Sequence, residues 1–318
     1  MNHQPLVSIY ILSHDRPVYA ANALLSAMSQ TYKNIKVIFS DNSSNYNTKN
    51  YLDSLEHLEP GSYEYRYRNN IHPLAHFNNI LDEVDTDYVL LFHDDDVLKN
   101  DYIEHAINIF LRDKSLVCVA CNADTIDENN NFTGKYNPSF ISRDKLISSK
   151  EDFYDHYFSY KLFRAPPYPS YLYKTQYLNK ATKGYKYFDV EFVASMLEFG
   201  DIFWSKEAKI KYRFHKNNDS NKDSIIHRKA LIGNIVGLKN ISKKKKDIYS
   251  KNIRFFFWMG FFLKSEKDIL NKRFAPALKF ILSQFFLNTY KISLYLSFKL
   301  CIKILKIIIL KTPNSFQK

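Results

Sequence analysis

Apolar and polar positions alternate in blocks along the first 220 residues. LVSIYIL (6–12) is a short β-rich run. From Pro17 to Gln30 apolar residues then recur at helical spacing, behind a proline at a first-turn position. IKVIFS (35–40) reads as a second strand, the Leu52–Leu58 region as a helix, and YEYRYR (63–68), alternating with period two, as a third strand. LAHFNNILDEV (74–84) is helical, YVLLF (88–92) a buried strand, 101–111 an amphipathic helix and SLVCVAC (115–121) a further strand. Such alternation predicts an α/β fold, a mostly parallel sheet with flanking helices. The second half is less regular. RAPPYPSYLY (164–173) has the composition of an ordered, aromatic-lined loop, and FDVEFVASMLEFG (188–200) reads as a short helix that opens with Asp189 and stops before Gly200.

In parallel sheets ligands bind beyond the carboxyl ends of the strands. Three polar clusters fall there: SHDR (13–16), DNSS (41–44) and HDDD (93–96). Three adjacent aspartates repel one another and are costly to crowd against an apolar strand. They suit a hard divalent cation, Mn2+ or Mg2+, which keeps part of its shell open for phosphate oxygens. An acidic N-cap opening the next helix is the plainer alternative. A haloacid-dehalogenase type of D-x-D is a poor match, because three strands precede this one.

The net charge of +12 is not evenly spread. Residues 1–238 carry 27 Lys+Arg against 30 Asp+Glu, whereas residues 239–318 carry 18 against 3. The body is near neutral and the basicity sits in the tail, so no nucleic-acid partner is expected. The pattern divides the chain into a catalytic-type domain over 1–220 and a helical, basic region over 221–318. IRFFFWMGFFL (253–263) and ISLYLSFKLCIKILKIIIL (292–310) are strongly apolar, but lysines interrupt the second run. Lys299, Lys303 and Lys306 fall within about 60° on a helical wheel. This predicts an amphipathic region lying on an anionic membrane surface rather than crossing it. With no basic n-region or cleavage site in MNHQPLVSIYIL, no secretory leader is expected. Cys118 and Cys121 form a C-x-x-C with no second pair to complete a zinc site, and read as buried strand thiols.

Over about residues 5–220 the chain resembles the family-2 glycosyltransferases, the inverting, nucleotide-sugar-dependent enzymes of bacterial polysaccharide loci. PLVSIYILSHDRP is similar to that family's opening strand and turn, QTYKNIKVIFSDNSS to its second strand and acidic loop, and YVLLFHDDDVL to its D-x-D segment. FDVEFVASMLEFGDIFW resembles the helix that carries the catalytic acid, and YRFHKNNDS the Y-R-x-H that follows. The resemblance implies a GT-A-type, Rossmann-like fold and transfer from a nucleotide-diphosphate sugar, UDP-linked by preference, to a glycan or polyprenyl-diphosphate-linked acceptor. The product would be a surface polysaccharide, such as O-antigen, capsule or lipooligosaccharide. The enzyme would be cytoplasmic, peripheral on the inner face of the membrane.

By the same resemblance His14 stacks on the base, Asp41 accepts from it, and Ser13, Arg16, Arg68 and Asn69 line the nucleotide cleft. Asp96 is expected on the metal, Asp94 or Asp95 on the ribose or a metal-bound water, with Asp94 and His215 completing the metal side. Asp189 takes the position of the general base. Glu191 lies two residues on and points about 200° away, so only one of the two can face the cleft. Two other functions compete. A sugar-nucleotide pyrophosphorylase needs a Gly-rich phosphate loop near the start, and the first glycine here is Gly61. A non-enzymatic membrane-surface adaptor leaves the carboxylate cluster unexplained.

Overall fold

The structure is a computed structural model. It describes residues 4–254, apart from 57, 60, 136–140, 159–164, 180–186 and 217–224, together with Ile302. Contacts divide the chain after Ser242. In the second unit residues 243–254 are helical; the two apolar runs of the tail, 253–263 and 292–310, fall almost wholly outside the described residues. Among the described residues no helix is long and apolar enough to cross a membrane.

The first unit is built on one sheet. Its opening strands are β1 (Val7–Ser13), β2 (Ile35–Asp41), β3 (Glu64–Tyr67), β4 (Tyr88–His93) and the short β5 (Val97–Leu98). Then come β6 (Leu116–Ile126), β7 (Phe132–Lys135), β8 (Lys145–Ile147), β9 (Tyr171–Lys174) and β10 (Asp201–Arg213). The order across the sheet is β3-β2-β1-β4-β9-β6-β10-β5. The longest pairings, β1 with β2 and β4 and β6 with β10, are parallel, as the block pattern predicts. β9 is antiparallel to both β4 and β6. Two reversals restore direction, so β1, β2, β3, β4, β6 and β10 all end at the same edge.

Helices α1 (Pro17–Met28), α2 (Asn47–Asp53), α3 (Pro73–Glu83), α4 (Tyr102–Arg112), α5 (Lys150–Tyr157), α6 (Phe188–Met196) and α7 (Ile225–Gly237) complete the unit. On one face Ile9, Ile11, Leu90 and Phe92 bury against Leu24 of α1 and Ile103, Ile107 and Phe110 of α4. Their alternates Tyr10, Ile38 and Leu91 are equally buried on the opposite face, so both faces are covered. α6 joins that face through edge-to-face contacts of Phe192 with Phe77 of α3 and Tyr173 of β9.

Two elements differ from the sequence pattern. The helix expected over Leu52–Leu58 is instead Asn47–Asp53 and shares only residues 52 and 53 with it; the Asn45 side chain accepts from the Asn47 N–H at 2.9 Å and starts the turn there. The aromatic stretch 164–173 is only partly loop. After the 3-10 turn Tyr168–Ser170 it becomes β9, whose alternation is hidden behind the prolines. Gly200, read as a helix stop, has a packing role: a Cβ there would lie 2.2 Å from the Ser115 carbonyl oxygen.

Candidate active site

The shared carboxyl edge gathers Ser13 and the 14–16 loop after β1, Asp41 after β2, Arg68 and Asn69 after β3, 93–96 at β4 and His215 after β10. β5 turns back antiparallel onto β10, Val97 opposite Lys211, and this draws the three aspartates beside Arg213 and His215.

The aspartates are almost sealed from solvent, with Asp94 and Asp96 at 1% and Asp95 at 7% exposure. Asp94 faces the first loop. It accepts from the His14 N–H at 2.9 Å and from Arg16 Nη1 at 2.8 Å. Asp95 Oδ2 accepts from Arg16 Nη1 at 3.2 Å and from His215 Nε2 at 3.0 Å. Asp96 Oδ1 accepts from the Arg213 N–H at 2.9 Å, while its Oδ2 is buried with no hydrogen-bond partner. Burial pushes Asp94 and Asp96 above the usual carboxylate range, and the charge of Asp95 adds to this. Burial would raise Asp95 as well, but the charges of His93, Arg16 and His215 outweigh it and hold Asp95 low.

An orphaned buried carboxylate oxygen requires an explanation. His93, Asp95 and Asp96 each present a ligand atom, all within 4.8 Å of one another. Two carboxylates and one borderline imidazole make an anionic donor set that fits Mn2+, and Mg2+ through the carboxylates. Among the described residues no other group of three or more such side chains could hold a metal. Of the residues expected on the metal, Asp96 lies in this candidate group; Asp94 turns both oxygens toward the first loop, and His215 Nε2 is hydrogen-bonded to Asp95.

The other expected site residues occupy three kinds of place. His14 stands at the mouth with its side chain 56% exposed, its Nδ1–H donating to the Asn42 carbonyl at 2.8 Å. Asp41 is fully buried; the Ser43 N–H donates to Oδ1 at 2.9 Å and the Tyr65 hydroxyl to Oδ2 at 2.6 Å. Ser13 Oγ is buried beneath the loop. Arg68 forms a two-pronged pair with Glu83 at 2.6 Å on both prongs, and Nε donates to Ser40 Oγ at 2.8 Å. Asn69 adopts φ 58° in the turn that follows. That turn is pinned by Asn42, whose amide exchanges two 2.8 Å bonds with the Ile71 backbone.

Asp189 is the second residue of α6, one turn before Phe192 and therefore on the face that meets β9. Burial raises its carboxyl to about 6. Its charge is felt by the Tyr168 phenol, whose ring lies 5.8 Å from that of His93. Glu191 faces away, into a cavity of about 760 Å³ between α5, α6 and α7. Arg213 was missed as a site residue although it lies within Y-R-x-H; it is fully buried with its guanidinium 4.7 Å from the Tyr19 ring centre. His93 was visible only as the first letter of HDDD.

Comparison with known proteins bears on the family and the fold. The chain is 30% identical over 158 residues to chondroitin synthase of Escherichia coli, which covers 46% of this chain and 21% of that protein. It is 29% identical over 154 residues to hyaluronan synthase of Pasteurella multocida, 47% of this chain and 15% of that one. The aligned segment is thus about a fifth or less of each relative's length. Among solved structures, S. aureus TarS 1-349 in complex with UDP-GlcNAc superposes with a TM-score of 0.57 at 13% identity, covering 87% of this chain and 80% of that one. This likeness shows the fold, that of GT-A enzymes. The model of Glycosyl transferase family 2 matches residues 8–171, more than half of the chain, and the protein belongs to that family of glycosyltransferases.

Proposed function

We propose that the protein is a metal-dependent, inverting glycosyltransferase that moves a sugar from a UDP-sugar to a glycan acceptor during synthesis of a bacterial surface polysaccharide. The observation that carries this reading is the unpartnered Oδ2 of Asp96, a residue grouped with His93 and Asp95, at the edge where the four adjacent strands β3, β2, β1 and β4 all end. A polysaccharide product is supported by the similarity to chondroitin and hyaluronan synthases. A UDP-sugar donor is supported by the fold shared with TarS, a protein whose structure holds UDP-GlcNAc.

In this reading His93, Asp95 and Asp96 hold Mn2+ or Mg2+, which would neutralise the diphosphate where negative charge develops on departure. Arg16 steadies Asp94 and Asp95, and the exposed His14 ring offers a face to the base. Asp189 accepts the proton of the acceptor hydroxyl as its oxygen bonds to the anomeric carbon. The bond from that carbon to the diphosphate breaks on the opposite side, and the configuration inverts. A carboxyl of about 6 is largely ionised at neutral pH and still basic enough to serve. The basic residues 239–318 hold the enzyme to an anionic inner membrane surface, where a polyprenyl-linked acceptor would lie. Pelleting with anionic vesicles at low and high salt tests that part.

The reaction is tested by incubating the full chain with a panel of nucleotide sugars, with and without Mn2+. Metal-dependent release of free UDP, without pyrophosphate, is the expected result. Pyrophosphate release, or no turnover of any donor, would contradict it.

A further inference from the structure

One carboxylate of the cluster, and the backbone of the turn that carries it, are held by a residue that is not itself a ligand. Arg213 closes β10, and its backbone N–H donates to Asp96 Oδ1 at 2.9 Å. Its side chain reaches three other places. Nε donates to the Asp95 carbonyl at 2.8 Å, Nη1 to the Asp127 carbonyl at 2.9 Å, and Nη2 to Asn130 Oδ1 at 2.6 Å. The flat guanidinium also lies over Tyr19 of α1, whose ring is 4.9 Å from that of His215.

These contacts tie three separate pieces of chain to one cation. The acid turn follows β4, the Asp127–Asn131 loop follows β6, and Tyr19 belongs to the helix after β1. The loop is itself closed, for Asp127 Oδ1 accepts from the Asn129 and Asn131 N–H groups and Asn130 sits at φ 67°. It therefore presents a preset carbonyl and amide oxygen to the guanidinium. The Arg213 N–H engages Asp96 Oδ1, which restrains rotation of the carboxylate and leaves Oδ2 as its oxygen without a hydrogen bond, in a residue grouped with His93 and Asp95.

We propose that Arg213 is the positioning residue of the metal centre, and that the Asp127–Asn131 loop is its anchor. The proposal rests on the metal-dependent reading above. Lysine cannot replace it, since one ammonium on a flexible stem does not span a carbonyl on one loop and two acceptors on another. Groups that orient metal ligands from behind ordinarily change metal affinity by about 10- to 100-fold when altered.

The test is titration of Mn2+ into the full chain in the presence of UDP, read by calorimetry and by the electron paramagnetic resonance signal of bound Mn2+. Arg213→Lys is expected to weaken Mn2+ binding by about tenfold or more and to broaden the signal. Turnover should be substantially recovered at high Mn2+, so that the metal requirement rises more than kcat falls. Asn130→Gly keeps the positive-φ turn but removes the Nη2 acceptor, and guards against misfolding of the lysine variant. It should give a smaller loss in the same direction. Unchanged Mn2+ affinity in Asn130→Gly and in folded Arg213→Lys would overturn the proposal while leaving the metal reading intact. A wild-type chain that binds no Mn2+ with UDP would overturn both.

Discussion

Two crowded charge clusters lie in the same sheet and behave in opposite ways. Around β3, Arg66 and Arg68 meet Glu64 and Glu83. Arg68 takes both oxygens of Glu83, Arg66 reaches the same carboxylate, and Arg66 Nε donates to Glu64 at 2.6 Å. The guanidinium bonds hold both glutamates below the usual carboxylate range, Arg68 acting first on Glu83 and Arg66 on Glu64. Ser40 Oγ accepts from Arg68 and is hydrogen-bonded to His76 Nε2, and burial, helped by the charge of Arg68, keeps His76 neutral by lowering it to about 4. Each carboxylate oxygen of Glu83 has a cation. At 93–96 the balance is reversed: two of three aspartates are pushed up, and Asp96 keeps an oxygen with no partner. The ion network around Glu83 satisfies its own members, whereas Asp96 leaves a valence open at a cost in stability, as the proposed metal site requires.

The largest expected effect separates binding from chemistry. Asp189→Asn should lower kcat by about 10²- to 10⁴-fold while UDP affinity in Mn2+ holds, since a general base acts in the transition state. Equal losses in binding and kcat would remove Asp189 from that role. In the wild type kcat should fall as pH drops through about 6, where Asp189 takes up a proton. The stability effect has the opposite sign. A carboxyl raised from 3.8 to about 6 favours folding when protonated, and that contribution is lost as pH rises through 6. Asp189→Asn should therefore melt a few degrees higher than wild type at pH 7–8.

Breaking the closed network should do the reverse. Glu83→Gln leaves two arginines poorly compensated and is expected to cost about 1–3 kcal/mol, the lower end because Glu83 is partly exposed. Its affinity for UDP with Mn2+ should match wild type; a large loss there would join the two clusters into one site. Asp41→Asn should have the smallest effect. It keeps one of two acceptors, and a loss of about 1 kcal/mol in denaturant stability is expected with little change in UDP affinity. Weaker UDP binding at unchanged stability would instead give Asp41 to the base.

The sheet was readable wherever the apolar runs are uninterrupted. β1, β2 and β4 lie within a residue or two of LVSIYIL, IKVIFS and YVLLF, because strands buried on both faces are continuous apolar segments. β9 was not readable, since four residues behind three prolines take their strand character from pairing with β4 and β6. HDDD marked itself by charge on an apolar strand. The division of its labour did not follow from sequence: which aspartate turns to Arg16 and which to Arg213 is set by β5 folding back onto β10, a contact spanning more than a hundred residues. Arg213 was hidden for the same reason, for in sequence it is one cation in a basic stretch.

On the proposed function, the open valence at Asp96 belongs to a metal that holds a nucleotide diphosphate. Calorimetric titration of UDP into wild type and Asp96→Ala, each with Mn2+ and with chelator, tests it most directly. Wild type should bind UDP at least tenfold more tightly with Mn2+ than without, and Asp96→Ala should lose that difference while melting no lower than wild type. UDP binding that ignores Mn2+ in wild type, or a metal effect that survives in Asp96→Ala, would contradict the account.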